Sequence, residues 1–544
     1  MKSISKRKAA SKKQKQARKI QQRQQKIARR KKNLAKGRKL TPEQKEKRCQ
    51  QLATREKFKE KRKDLNKKKD ETERIKNIGN ALFSIFNVDI LDQLARETGF
   101  IKRKGGEITA FAFMYIVSFG FFGNGKIALT YLVAGLSDYF NIIVTPQALS
   151  KRINNSYSTK FLKSIFQKIL GIQIKLGVKN RFSETFSMFT GIYLQDSSQI
   201  ELNEELSEHF AGSGGGASKS AMKLDFIYDV INCLVYRVKI SSATINDQIN
   251  SKEILKCLKL GSLVIRDLGY FTIDCLRKVG ERAFYLSRLS ITTNVYFNKN
   301  DNEPIDLPAY LKKLHAEKKD SSNIKVYIGR LEKFETRLVA EKVPQTVLTQ
   351  RKKRYRKERK KAPSQYYTEW CGYSIFITNI QETMFSGKMI IELYKIRWQI
   401  ELVFKNLKSN IEINIIKGTN KHRIESLIYG KLITIVVMFV IQNFAANVAK
   451  NKEVSGDKLT KLLISNNRLQ KAIIQNDLSM LLIIMEQDIL LICKQNRKKK
   501  TTFDSLKETL DNEKIDKSKI ILPKHTLESD FLNNQLQTAI WACL

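Results

Sequence analysis

The sequence predicts a mixed α/β core set among helical regions, with a β-rich insertion inside the core. Short strand-like apolar runs begin abruptly at Gly191, a helical pattern near Asp247 to Leu260 is interposed among them, and a long helix from about Gly387 to Ser409 follows. At 544 residues the chain has room for several domains. The changes of pattern divide it into a basic arm at 1–77, a helical domain at 78–185, a core at 186–288 and 387–435, the insertion at 289–386 and a helical region at 436–544.

The arm comes first in the chain and dominates its charge. Residues 1–80 hold 32 Lys plus Arg against 8 Asp plus Glu, a net +24 and half of the chain's +48. With few large apolar side chains this segment cannot bury a core, so it is expected to be disordered or transiently helical when free. So cationic a surface calls for a polyanion, and nucleic acid leads, with contact to DNA favoured over a merely solubilising arm. The 42% apolar content is ordinary for a globular chain, and the mean hydropathy of -0.37 argues against an integral membrane protein. The seven cysteines form no C-x-x-C and the histidines number only four, which excludes a disulfide scaffold or zinc ribbon and fits a reducing cytoplasm. The basic opening has no apolar segment behind it, unlike a secretory signal.

In the helical domain, Ile78, Leu82, Phe83, Phe86, Ile90, Leu91 and Leu94 recur at three and four spacing, and 129–136 and 161–172 continue the pattern. No helix-turn-helix signature is evident. Two apolar stretches, 108–122 and 432–448, fall short of the ~20 residues of a membrane span and are expected to be buried helices. In the core, strands are expected at 192–194, 226–234, 235–240, 263–265 and 283–286. The insertion adds β-type runs at 325–329, 336–342 and 374–378 without the helices a parallel sheet needs. It also holds a second basic cluster, with nine Lys or Arg among the eleven residues 351–361. Trp370, in the same insertion, is a candidate for stacking on an unpaired base near a cut end, with core or dimer packing as its rival.

Phosphodiester cleavage by divalent metals needs carboxylates converging on one point, so that two cations about 3.5 to 4 Å apart clamp the attacking and leaving oxygens. Asp196 ends the run Gly191-Ile-Tyr-Leu-Gln-Asp, and Asp267 ends Leu263-Val-Ile-Arg-Asp. Either alone reads equally as a strand terminator or helix cap. The long helix is more specific: Tyr394, Arg397, Glu401 and Lys408 have the spacing Y-x2-R-x3-E-x6-K. At about 100° per residue they share a stripe roughly 60° wide, while Leu393, Ile396, Ile400, Val403, Phe404 and Leu407 face a different way, toward a sheet.

These residues resemble the YREK signature of bacterial insertion-sequence transposases, specifically the insertion sequence four family. The resemblance covers about residues 90 to 435. It takes in Leu194-Gln-Asp-Ser-Ser-Gln-Ile-Glu-Leu around the first acid, Asn246-Asp247, and Asp267-Leu-Gly-Tyr at the second. It implies a ribonuclease H-like core in which Asp196, Asp267 and Glu401 are a DDE triad that catalyses the reaction and holds metal, two Mg2+ ions with Mn2+ as a substitute. Tyr394, Arg397 and Lys408 are then the residues that hold DNA. The implied activity is binding of terminal inverted repeats, cleavage of the element's ends and strand transfer into target DNA, by a homodimer in the synaptic complex, in the bacterial cytoplasm beside the nucleoid. The alternative is a catalytically idle DNA-binding regulatory or architectural protein on the same scaffold. Three correctly ordered acids argue against it, since a binder has no need of them.

Overall fold

The computed structural model describes residues 86–512 other than 104, 121–127, 177–185, 216, 233, 318–320, 449–453, 466, 476 and 493–501, together with isolated positions before 86. The basic arm expected at 1–77 lies outside the described residues apart from such positions, as do residues 513–544.

Helices at Val88–Glu97, Ala110–Phe119, Leu129–Phe140, Pro146–Ile153 and Ser156–Leu176 fill the first region, as the three and four spacing predicts. Three of them start at a capping side chain: Asn87, Thr109 and Thr145 accept the amide hydrogens of Ile90, Ala112 and Ala148, satisfying donors that the helix itself leaves open. Every residue of Ala110–Phe119 is buried. The long helix Lys421–Val448 packs on it and on Ser156–Leu176. Its segment Lys421–Ala446 is long and apolar enough to cross a membrane, but 89% of its most apolar window is buried inside this chain. Both apolar stretches are therefore core helices, as expected.

The strands form one nine-stranded sheet. They are β1 (Ile192–Glu201), β2 (Ala221–Asp229), β3 (Leu234–Ser242), β4 (Leu263–Arg266), β5 (Phe284–Arg288), β6 (Val295–Tyr296), β7 (Ser321–Ile328), β8 (Phe334–Lys342) and β9 (Tyr373–Thr378), in the order β3-β2-β1-β4-β5-β9-β8-β7-β6. β1, β4 and β5 run parallel, and the remaining neighbours pair antiparallel. Successive side chains on a strand point to opposite faces. Ile192, Leu194, Ile265 and Leu286 accordingly enter one core, and Tyr193, Val264 and Tyr285 the other. The first of these cores runs without a break from Phe86 in the leading helices to Leu510, so the helical segment has no core of its own.

The structure departs from the expected elements at four places. The run expected at 226–234 is interrupted by a turn at 230–232, because the buried Asp229 carboxylate accepts from Ile231 N (3.0 Å) and Asn232 Nδ2 (2.7 Å) and bends the chain. The helix near Asp247 to Leu260 is one α-turn, Asp247–Asn250, followed by 3-10 turns over Ser251–Lys256. The insertion's strands extend the core sheet, β9 pairing with β5 and β6 to β9 continuing it, and antiparallel pairing removes the need for crossover helices. Helices are nonetheless present there, at Leu307–Ala316, Gln345–Arg359 and Gln365–Trp370. Gln345–Arg359 buries no residue, so its sequence carries no apolar period. Finally, the long helix is two, Gly387–Tyr394 and Trp398–Ser409, joined by a 3-10 turn over Lys395–Arg397.

Candidate active site

Strand register brings the first two acids together. Gln195 of β1 lies opposite Arg266 of β4 in a parallel pair, so Asp196 and Asp267 follow as neighbours. By alternation Asp196 shares the face of Ile192 and Leu194. Trp398–Ser409 covers that face, packing on β1, and its Phe404 ring meets Phe226 edge-on at 5.2 Å. Leu393, Ile396, Ile400, Val403, Phe404 and Leu407 are all buried, as the helical period predicts. Burying that apolar face turns Glu401 toward the two aspartates.

Arg397 ties the acids together. Its Nη2 donates to Glu401 Oε1 at 2.5 Å and its Nη1 lies 3.5 Å from Asp196 Oδ2. Burial pushes the Asp196 carboxyl up to about 6, helped by the charges of Asp267 and Glu401 and opposed by the Ser197 amide and Arg397. Burial works against the Arg397 charge as well. Tyr394, Asp267 and Glu401 outweigh it and hold the guanidinium above its ordinary value. The site is a half-buried cluster of negative charge with one cation inserted, and added positive charge would stabilise it.

The other predicted site residues divide. Tyr394 is half-buried against the Phe376 ring at 4.7 Å, and its hydroxyl donates to the Arg266 carbonyl at 3.4 Å, one residue before Asp267. It lies beside Arg397 and Asp267 as well. Lys408 is exposed, about two turns beyond Glu401. Trp370 is not brought to the acids: it packs on the second core beside Tyr366. Trp398, 55% exposed and next to Arg397, is an aromatic that the motif reading passed over.

Behind the acids lies a buried polar network that the sequence did not reveal. Asp225 of β2 stands opposite Ser197 and is 1% exposed. Its carboxylate accepts from Gln195 Nε2 (3.1 Å) and from the Tyr270 hydroxyl (2.5 Å), joining the residue before Asp196 to the residue three after Asp267. Asp247 accepts from Ser197 Oγ (3.1 Å) and Lys223 Nζ (2.9 Å). A Cβ on Gly269 would come within 3.2 Å of the other Asp247 oxygen, which accounts for the glycine in Asp267-Leu-Gly-Tyr. The pairings of Asn246-Asp247 and of Tyr270 were thus hidden in motifs that sequence alone could only match. At the far end of the helix, the buried Lys431 amine donates to the carbonyls of Ile411 (2.6 Å) and Glu412 (2.9 Å), and burial pushes its pKa down to about 8.

The network carries a prediction. Tyr270→Phe removes a donor from a buried carboxylate, so it should lower thermal stability by about 1 to 3 kcal/mol. By loosening both aspartates it should also raise the divalent-metal concentration needed for half-maximal DNA cleavage by about 10- to 100-fold. Metal titrations of cleavage beside melting curves check this. A variant that is less stable but has the wild-type metal requirement would leave Asp225 and Tyr270 a purely structural pair.

Comparison with known proteins agrees with this geometry. Residues 188–437, which include all three acids, match the family described as Transposase DDE domain. The chain is 30% identical over 421 residues to the transposase for insertion sequence element IS231F of Bacillus thuringiensis subsp. israelensis, covering 71% of this chain and 85% of that protein. It is 28% identical over 462 residues to the IS231E transposase of Bacillus thuringiensis subsp. finitimus, covering 76% and 92% respectively. With the IS1151 transposase of Clostridium perfringens the identity is 27% over 429 residues, covering 73% and 86%. The chain therefore belongs to the insertion-sequence DDE transposases, metal-dependent enzymes that cut DNA and transfer its strands.

Proposed function

We propose that this chain binds the terminal inverted repeats of an insertion sequence, cleaves the element's ends and joins them to target DNA, with Asp196, Asp267 and Glu401 as its triad. The observation that carries the reading is the meeting of these three acids, from β1, the end of β4 and a packed helix, around the single guanidinium of Arg397. The core is ribonuclease H-like in this reading, spanning 186–288 and 387–435. The leading helices are its DNA-binding region and the homodimer is its synaptic form, in the cytoplasm beside the nucleoid.

Three carboxylates offer the hard oxygen donors that magnesium prefers. Among the described residues no three acidic, histidine or cysteine side chains form a ready-made metal cage. Mg2+ is commonly held by one or two carboxylates together with the substrate's phosphate oxygens. Two such ions, when bound, supply the Lewis acidity that activates a water or 3′ hydroxyl and stabilises the departing oxyanion. Asp196, Asp267 and Glu401 would hold and partly neutralise them. Arg397, already placed among the acids, exchanges an acid for a phosphate, which its planar fork fits in bidentate fashion. Lys408 offers a point charge to a phosphate farther along the strand. Tyr394 steadies the Asp267 turn through the Arg266 carbonyl. For stacking on an unpaired base, Trp398 is better placed than Trp370, being exposed and adjacent to Arg397.

The test is a duplex carrying the element's terminal repeats, incubated with the chain in Mg2+. Expected are a nick at the element boundary that leaves a 3′ hydroxyl, then joining to a plasmid, with no cleavage of duplexes whose repeats are scrambled. Specific binding without any nicking would favour the idle DNA-binding protein instead.

A further inference from the structure

The helix Gln345–Arg359 buries none of its residues and, from Arg351 on and with Lys360 and Lys361, presents a nearly unbroken cationic surface. Lys353, Arg356, Lys357, Arg359, Lys360 and Lys361 are exposed. The one acid in this stretch, Glu358, is taken by Arg354 at 2.7 Å. A free solvated helix of like charges would repel itself, but this one is anchored at two points. Arg351 donates to the carbonyls of Cys371 (2.9 Å) and Tyr373 (2.8 Å) and to Ser374 Oγ (3.0 Å), and the Tyr355 ring meets Tyr367 at 4.2 Å.

The anchor leads toward the acids. Arg351 grips the start of β9, whose Phe376 packs on Tyr394, and Tyr394 in turn holds the Arg266 carbonyl beside Asp267. The cationic face thus begins at the border of the candidate active site.

We propose that this helix is the surface on which target DNA is captured, by its phosphate backbone and without regard to sequence. This rests on the transposition reading above. DNA flanking the element is covalently continuous with the bound repeat, so it reaches the site at high effective concentration without a binding surface of its own. Target DNA arrives from solution and has no fixed sequence. Its uniform feature is the phosphate backbone, for which a row of free Lys and Arg supplies attraction through counterion release. Lysines in particular serve phosphates as point charges and carry no base-reading fork.

The test uses the full chain with Lys353→Gln, Arg356→Gln, Lys357→Gln and Lys361→Gln together, leaving the anchors Arg351 and Tyr355 and the Arg354-Glu358 pair intact. Melting curves check that the fold is kept. With pre-cleaved element ends, strand transfer into a limiting plasmid target should fall about tenfold or more and recover at higher target concentration, while cleavage at the element ends stays within about twofold of wild type. Binding of a duplex lacking the repeats should show a salt slope lower by about 0.9 for each phosphate no longer neutralised. An unchanged salt slope overturns the proposal whatever happens to catalysis. Equal loss of cleavage and transfer also overturns it, since the helix would then hold the element's own end. Failure of the wild-type chain to cleave its ends would instead sink the transposition reading, while the salt slope still decides whether the helix holds DNA.

Discussion

Asp196→Asn, Asp267→Asn or Glu401→Gln should each abolish end cleavage while leaving specific binding of the repeats nearly intact. Each change removes one charge and keeps the shape of the side chain, so what is lost is the capacity to hold and neutralise cations. The Asp196 carboxyl is half-buried, and burial, helped by the charges of Asp267 and Glu401, pushes it up to about 6. Asp196→Asn should therefore relieve repulsion and leave the metal-free protein at least as stable as wild type at neutral pH. Strand nicking in magnesium, gel-shift binding and melting on the same proteins give the measurement. Substantial nicking by any one variant would remove that residue from the triad.

The two faces of the signature helix should respond in different ways, although their residues interleave in sequence. Ile400 is fully buried, so Ile400→Ala should cost about 2 to 5 kcal/mol by opening a cavity, with or without magnesium, and the protein that remains folded should still cut. Arg397→Ala leaves Asp196 and Glu401 without their shared partner, at a cost of about 1 to 3 kcal/mol in metal-free buffer. Divalent ions should restore part of that loss, because they supply the missing positive charge, yet end cleavage should stay impaired. Lys408→Ala, at an exposed site, should shift stability by no more than about 0.5 kcal/mol while weakening end processing. Melting with and without magnesium separates these cases: an Arg397→Ala loss as large as that of Ile400→Ala and indifferent to metal would make Arg397 a structural residue.

The sequence by itself determined what depends on neighbours along the chain. Three and four spacing gave the helices of 88–176 and the buried face of 398–409, and apolar runs ending in acids gave the positions of Asp196 and Asp267. The Y-x2-R-x3-E-x6-K spacing was enough to identify the family, because it is written within a few turns of helix. Even there the helix is not uniform, since a 3-10 turn at Lys395–Arg397 separates Tyr394, whose hydroxyl donates to the Arg266 carbonyl, from Glu401 and Lys408. The tertiary structure decided what depends on residues far apart. That β9 would join β5 and make the insertion part of one sheet, and that Asp225 would sit opposite Ser197 within reach of Tyr270, follow from strand pairing, and that a helix burying none of its residues would be pinned by Arg351 to the start of β9 follows from that strand's place in the sheet. Pairing leaves no local mark: a strand's alternation shows which residues share a face, but the partner strand and its register are selected by the packing of the whole core.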